Sequence, residues 1–300
     1  MPDGPRVDDP LKVDVPAWIE AVGSDPVAKR QREVTEIVLN AIALTPELDE
    51  TMLLKGGVLM GLAYQSPRQT SDLDLTATMP PSEDVGERIR SLLDAAFPLA
   101  AARLGYTDLV ARVQSAKRRP RSEGFVAANA PALQLKIAYA DRGTGQERAL
   151  WAGRASRVID ADVSFNEPVE HVQLLCIEEG RTVRAYAFAD LVAEKYRAMM
   201  QQVTRDRNRR QDTYDLDRLV GAQEVDEATK TSILRTLHVK CAARGIEPER
   251  ATLRNPEIER RSGADWASMA QELGEGELPD FEDCFARVVA FYEALPWAED

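Results

Sequence analysis

The stretch that decides the reading is Leu53–Ala77, LLKGGVLMGLAYQSPRQTSDLDLTA. A short apolar run, TMLLKGG, reads as a buried strand that stops at Gly56-Gly57. VLMGLAYQ then reads as a helix, and the alternation in SDLDLTAT reads as a second strand. Strand side chains alternate between faces, so Asp72 and Asp74 point one way while Leu73 and Leu75 point into a core. Two neighbouring carboxylates repel each other unless a cation sits between them. A hard divalent ion such as Mg²⁺ or Mn²⁺ suits such oxygen ligands and leaves positions for water and phosphate. A strand end that opens a helix at two glycines can offer backbone N–H groups to phosphate oxygens. A bare D-x-D can also be a solvated strand face, and a lone Gly-Gly an ordinary turn. Together, within one strand–helix–strand unit, they predict a triphosphate site.

The rest of the chain narrows the chemistry. Its 300 residues carry a net charge of -12, so any nucleic-acid contact needs a local basic patch. Cys176, Cys241 and Cys284 are widely spaced, without zinc or disulfide patterning, which points to a reducing cytoplasm. His171 and His238 are the only histidines, too few for a histidine-rich metal site. No apolar run reaches the ~18 residues of a membrane span, and MPDGPRVDDP does not read as a signal peptide. We expect no membrane partner.

The expected organisation is a loose arm over 1–15, a mixed α/β core over 16–189 and a helical domain over 190–300. Helical spacing appears in 25–46, with Val34, Ile37, Val38 and Ile42 apolar, and in the run after PPSEDV, where Ser82 is the expected cap. DLVARVQSA and PALQLKIAYA are strand candidates joined by the basic segment KRRPRSEG, with VEHVQLLCI and RTVRAYAF after them. From Asp190 onward the pattern is helical.

The segment KGGVLMGLAYQSPRQTSDLDL resembles the first motif of the AbiEii/AbiGii nucleotidyltransferase toxins, including the MenT group, within the DNA polymerase β-like superfamily. The matching positions are Gly56, Gly57, Arg68, Thr70 or Ser71, Asp72 and Asp74. FADLVAEKYRAMMQQVTRDRNRRQDTYDLDRL resembles the later motifs, with Lys195 the motif lysine, Arg209 and Asp212 the later pair, and Asp215 one turn on. The resemblance implies a polymerase-β-like core with a small mixed sheet, a helical C-terminal domain, and an active site between them. It implies an enzyme of a type IV toxin–antitoxin pair that transfers NMP from an NTP, using Mg²⁺ or Mn²⁺, with a cognate antitoxin. In its better-understood branch the acceptor is the 3′ end of tRNA, which blocks translation.

The residues agree with these roles. Lys195 lies on an apolar stripe with Phe188, Leu191 and Met199, where it either snorkels or meets phosphate. Asp212 and Asp215 share a face with Leu216 and Leu219, and buried acids there need partners such as Lys195, Arg209 or the nucleotide. Asp72 and Asp74 are expected to hold the metal, Gly56 and Gly57 to cradle the triphosphate, and Arg68 and Lys195 to neutralise it. Lys136, Thr70, Ser71, Arg209 and Asp215 are further nucleotide contacts. The superfamily's third carboxylate is expected on PALQLKIAYAD, but its strand face offers Lys136 or Ala138, and Asp141 has the wrong parity unless the strand ends or bulges. The basic clusters AKRRPR (116–121) and RDRNRR (205–210) flank this site and suit an RNA backbone. Two alternatives remain: nucleotidylation of a protein or small molecule, including self-modification at Thr70 or Ser71, and a binding module without turnover.

Overall fold

The computed structural model describes residues 5–121, 124–222, 224–274 and 276–298. Its first half runs β1 (Arg6–Lys12), α1 (Val15–Glu20), α2 (Pro26–Leu44), α3 (Pro46–Thr51), β2 (Met52–Lys55), α4 (Gly56–Tyr64), β3 (Leu73–Ala77), α5 (Val85–Arg103) and β4 (Leu109–Arg119). Then come β5 (Ala132–Asp141), α6 (Gly145–Trp151), β6 (Val158–Ser164), β7 (His171–Glu178) and β8 (Arg181–Tyr186). Helices follow: α7 (Phe188–Gln201), α8 (Arg210–Gly221), α9 (Glu227–Ala242), α10 (Pro256–Gly263) and α11 (Phe281–Glu293), with 3₁₀ turns at Thr252–Arg254 and Trp266–Gln271.

The strands form one mixed sheet in the order β1-β7-β8-β2-β3-β6-β5-β4. Its centre is the opening stretch: β2 and β3 pair antiparallel, with Lys55 opposite Asp74. On its other side β3 pairs in parallel with β6, which puts Asp162 beside Asp74. β5 then pairs antiparallel with β6, Gln134 opposite Asp162, and β4 with β5, Lys117 opposite Gln134. One polar row, Lys55–Asp74–Asp162–Gln134–Lys117, therefore crosses five strands. Leu73 and Leu75, on the opposite face of β3, are buried. The mixed α/β class is as expected, and the sheet is wider than the small one anticipated.

Three local expectations differ. The loose arm holds an edge strand, Arg6–Lys12, parallel to β7. Its polar composition hides it, because only its backbone is engaged. The ladder breaks between Asp8 and Leu11, around Pro10, which has no N–H to donate. Ser82 does not cap α5: the cap position is Asp84, and the Ser82 hydroxyl bonds the Asp84 carboxylate at 2.6 Å. The basic run 117–119 belongs to β4 rather than to a loop. Residues 122 and 123 of that run lie outside the described residues.

α2 and α5 pack together and α5 covers β4, whereas α7 packs on β7, β8, α8 and α9. The secondary structure turns helical at Phe188, but the apolar core runs unbroken past that point, from Val13 through Met199 to Leu295. Among the described residues, no helix is long and apolar enough to cross a membrane.

Candidate active site

Between α7 and the sheet face that carries Asp74 lies a cavity of about 600 Å³. Its floor is part of the polar row: Lys55, Asp74, Asp162 and Gln134. α7 contributes Leu191, Glu194, Lys195 and Ala198, and α8 contributes Asp212. Arg205, Arg207 and Arg209 enter from the α7–α8 connection, and Arg119 from the end of β4. Seven basic and five acidic side chains line this space, so a strongly acidic chain keeps a locally cationic cavity suited to an anion.

The glycines are fixed by close approach. Gly56 has φ +69°, a conformation that side chains with a Cβ avoid. A Cβ there would also lie 2.1 Å from Asp74 Oδ2. At Gly57 a Cβ would lie 2.8 Å from Thr70 Cγ2 and 3.0 Å from Arg68 Nη2. The Gly-Gly step therefore lets α4 begin directly against the Asp74 carboxylate. The α4 N-terminus and the acid converge on one place.

Asp74 is half-buried, and its carboxyl is pushed up to about 6. Burial is the main cause; Lys55 counters it, and Asp162 and Asp72 add to it. Asp72 is raised as well, by burial and by Asp160 and Asp162, against its hydrogen bond from Ser71 and the charge of Arg68. Carboxylates crowded in this way favour a cation between them. Among the described residues no three His, Cys, Asp or Glu side chains are gathered closely enough to hold a metal unaided. Mg²⁺ commonly takes one or two carboxylates, with water and substrate phosphate completing its shell. Asp74 and Asp162, with Asp72 nearby, fit that need.

Behind the cavity lies a buried chain of charges. Lys195 does not snorkel: its side chain is only 6% exposed, and its ammonium meets Asp215 at 2.6 Å and Asp212 at 3.2 Å. Burial pulls its pKa down, but Asp215 and Asp212 outweigh burial and leave it raised. Asp215 is fully buried and also takes a bidentate pair from Arg68, at 3.1 and 3.0 Å. Burial alone would raise Asp215, yet Lys195 and then Arg68 hold it below the ordinary value. Arg209 reaches Asp212 at 3.5 Å. One network thus joins Arg68, Asp215, Lys195, Asp212 and Arg209, and it clamps α7 and α8 to the segment before β3.

The other expected residues lie elsewhere. Arg68 is engaged by Asp215 and does not line the cavity. Thr70 and Ser71 line a smaller cavity of about 250 Å³ near the start of α2. Lys136 pairs with Asp160 at 3.3 Å, outside the cavity lining. Asp141 ends β5 and is held by Arg30 and Arg157, each at 3.2 Å, away from the Asp74 group.

Several charged residues that line the cavity were not singled out from the sequence, among them Asp162, Lys55, Glu167 and Glu194. Asp162 lies on β6, a strand passed over in VIDADVS although Ile159, Ala161 and Val163 alternate with Asp160 and Asp162. Lys55, buried at the end of an apolar strand, meets Glu167 at 2.8 Å and Ser164 at 3.3 Å. Arg244 reaches the same Glu167 at 3.2 Å. Glu194, beside the motif lysine, is paired with Arg197. Charged residues inside apolar runs were the available signal for Lys55.

A model of the family described as "Nucleotidyl transferase AbiEii toxin, Type IV TA system" matches residues 37–287, most of the chain. The chain belongs to the AbiEii nucleotidyl transferase toxin family. No curated protein matches it. Among solved structures it is similar to JHP933 from Helicobacter pylori, at 13% identity and TM-score 0.51, over 90% of this chain and 92% of that one. A second H. pylori chain, described as a candidate nucleotidyltransferase, matches at 12% identity and TM-score 0.48, over 90% of this chain and 95% of that one. At such identities the likeness to JHP933 speaks for the fold. The AbiEii match makes this chain a member of a nucleotidyltransferase toxin family of type IV toxin–antitoxin systems.

Proposed function

We propose that this AbiEii-family chain transfers a nucleoside monophosphate from an NTP to the 3′ end of tRNA, releasing pyrophosphate and arresting translation. The observation that carries the reading is the cavity floor. Asp74 and Asp162 stand side by side there, Gly56 opens a helix against them, and Lys195 faces them from α7.

Asp74 and Asp162, with Asp72 beside them, would hold a divalent ion, which would supply charge neutralisation for the triphosphate. The chain's own groups do the rest. The N–H groups that open α4 receive phosphate oxygens. Lys195 keeps its charge through Asp215 and Asp212 and adds a fixed cation. The acceptor's 3′ oxygen attacks the α-phosphorus, the bond from that phosphorus to the bridging oxygen of the β-phosphate breaks, and pyrophosphate leaves. The hydroxyl proton passes to the carboxylate group on the floor. Catalysis is then chiefly positioning and fixed electrostatics.

Asp162 takes the place of the third carboxylate in this scheme. Self-modification at Thr70 or Ser71 finds less support, because both line the smaller cavity rather than the one holding Asp74. A MenT-like role in growth control, with a cognate antitoxin in the cytoplasm, completes the proposal.

The test is incubation with each labelled NTP, Mg²⁺, total tRNA and a cell-protein extract. Label in tRNA that disappears with Asp162→Asn supports the proposal. Label confined to protein, or none with any NTP, overturns it.

A further inference from the structure

The cavity's cations fall into two groups that behave differently. The inner ones are ion-paired: Lys55 with Glu167, Lys195 with Asp215 and Asp212, Arg197 with Glu194, and Arg209 with Asp212. The outer ones are not. Arg119, Arg205 and Arg207 all line the cavity and all are exposed, and none forms an ion pair among the described residues. The acid between the last two, Asp206, has a left-handed backbone and is turned away to Arg261 at 2.8 Å. Arg205 feels burial and then only other arginines: 197, 244, 209 and 207. Burial first, and that company second, push its guanidinium below the ordinary value. Arginines that line one cavity and form no ion pair among the described residues call for an anion.

Position separates Arg119 from the triphosphate. Arg119 is in register with Ala132 and, through it, with Ser164. It therefore sits on β4, three strands from the β3 that carries Asp74. Three strand spacings are about 14 Å. A triphosphate on Asp74 and the α4 N-terminus does not extend across that width. Arg205 and Arg207 stand on the helical side of the same opening.

We infer that Arg119, Arg205 and Arg207 form a phosphate-binding rim that grips the backbone of a single-stranded polynucleotide and feeds its 3′ end to the Asp74–Asp162 floor. This rests on the nucleotidyl-transfer reading above and adds the residues that hold the acceptor. A cavity of about 600 Å³ admits a strand end rather than a duplex. The rim touches phosphate, so it selects for a polyanion and not for a base sequence.

The test uses the whole chain and a 5′-fluorescein-labelled single-stranded RNA oligonucleotide. Affinity is measured across a salt series for the wild type, for the triple variant R119A/R205A/R207A, and for the matching lysine variant R119K/R205K/R207K. Each phosphate neutralised on a single strand contributes about 0.7 to the slope of log affinity against log salt. The alanine variant should lose roughly 2 from that slope and bind RNA more weakly, while the lysine variant keeps most of it. NTP affinity by calorimetry and the melting temperature should be unchanged in both.

An alanine variant with the full wild-type slope overturns the inference. So does loss of NTP binding with RNA binding intact, because the arginines would then serve the nucleotide. Transfer of label to protein by a chain that does not bind RNA overturns it too, while leaving nucleotidyl transfer standing. Arginine-dependent RNA binding without transfer to any acceptor sustains the rim and defeats the function proposed above.

Discussion

Asp74→Asn should stabilise the protein at neutral pH while abolishing transfer. The Asp74 carboxyl is raised from 3.8 to about 6, by burial first and then by Asp162 and Asp72, against Lys55. A raised carboxyl means that the folded state holds its proton more tightly than the unfolded chain does. Wild-type stability therefore declines as pH rises through the interval from 3.8 to about 6, and stays lower above it. Each pKa unit is worth about 1.4 kcal/mol, so the ionised carboxylate costs up to about 3 kcal/mol at pH 7.5. Asparagine keeps the shape and removes the charge. For a chain of this size the variant should melt up to roughly 5 °C higher at pH 7.5, with the difference shrinking toward zero near pH 4. The assay is thermal or urea unfolding of both proteins over pH 4–8 without divalent metal. A variant that is equally destabilised at both ends of the range would refute the reasoning, since Asp74 would then be a structural acid whose charge the fold needs.

Other outcomes follow from the same geometry. Mg²⁺ binding near pH 6 should release protons, because the ion competes with the one held on Asp74; calorimetry in buffers of different ionisation enthalpy reads this, and buffer-independent heats would count against Asp74 as a ligand. Lys195→Met should abolish transfer and also lower stability, by about 3–5 kcal/mol, because it breaks the buried bridge to Asp215; a variant of unchanged melting temperature would contradict the pairing. Gly56→Ala should cost far more than Gly105→Ala: both have positive φ, a penalty of about 1–2 kcal/mol, but only Gly56 also abuts Asp74. Comparable melting temperatures for the two would remove the clash from the account. Asp141→Asn should leave NTP incorporation at the wild-type level, since Arg30 and Arg157 hold that acid elsewhere; a large loss would return Asp141 to the site.

Much of the fold was legible where the signal is local. The strand–helix–strand unit from Met52 to Ala77 announces itself through a short apolar run, two glycines and strict alternation. Lys195, Asp212 and Asp215 could be placed on core-facing helix stripes by spacing alone. What spacing could not supply was partnership. The bidentate pair between Arg68 and Asp215 joins residues 147 positions apart. It ties Arg68, expected as a phosphate contact, to Asp215 behind the cavity. The resemblance puts a third carboxylate on β5, the longer and more obvious strand, but the parallel partner of β3 is β6. That strand carries a second D-x-D, Asp160-Ala161-Asp162, whose alternation was readable. Its adjacency to the first was not, because parallel pairing across some ninety residues leaves no mark in either segment. β1 went unread for the opposite reason: an edge strand that buries little needs no apolar pattern.

The most direct test of nucleotidyl transfer to the tRNA terminus blocks the acceptor chemically. Total tRNA is divided, and one half is treated with periodate, which destroys the terminal ribose diol. Both halves are then incubated with the chain, Mg²⁺ and α-labelled NTPs. Transfer to the terminal ribose gives label on untreated tRNA, none on oxidised tRNA, and none on either with Asp162→Asn. Equal labelling of the oxidised half, or label appearing only in protein, would contradict it.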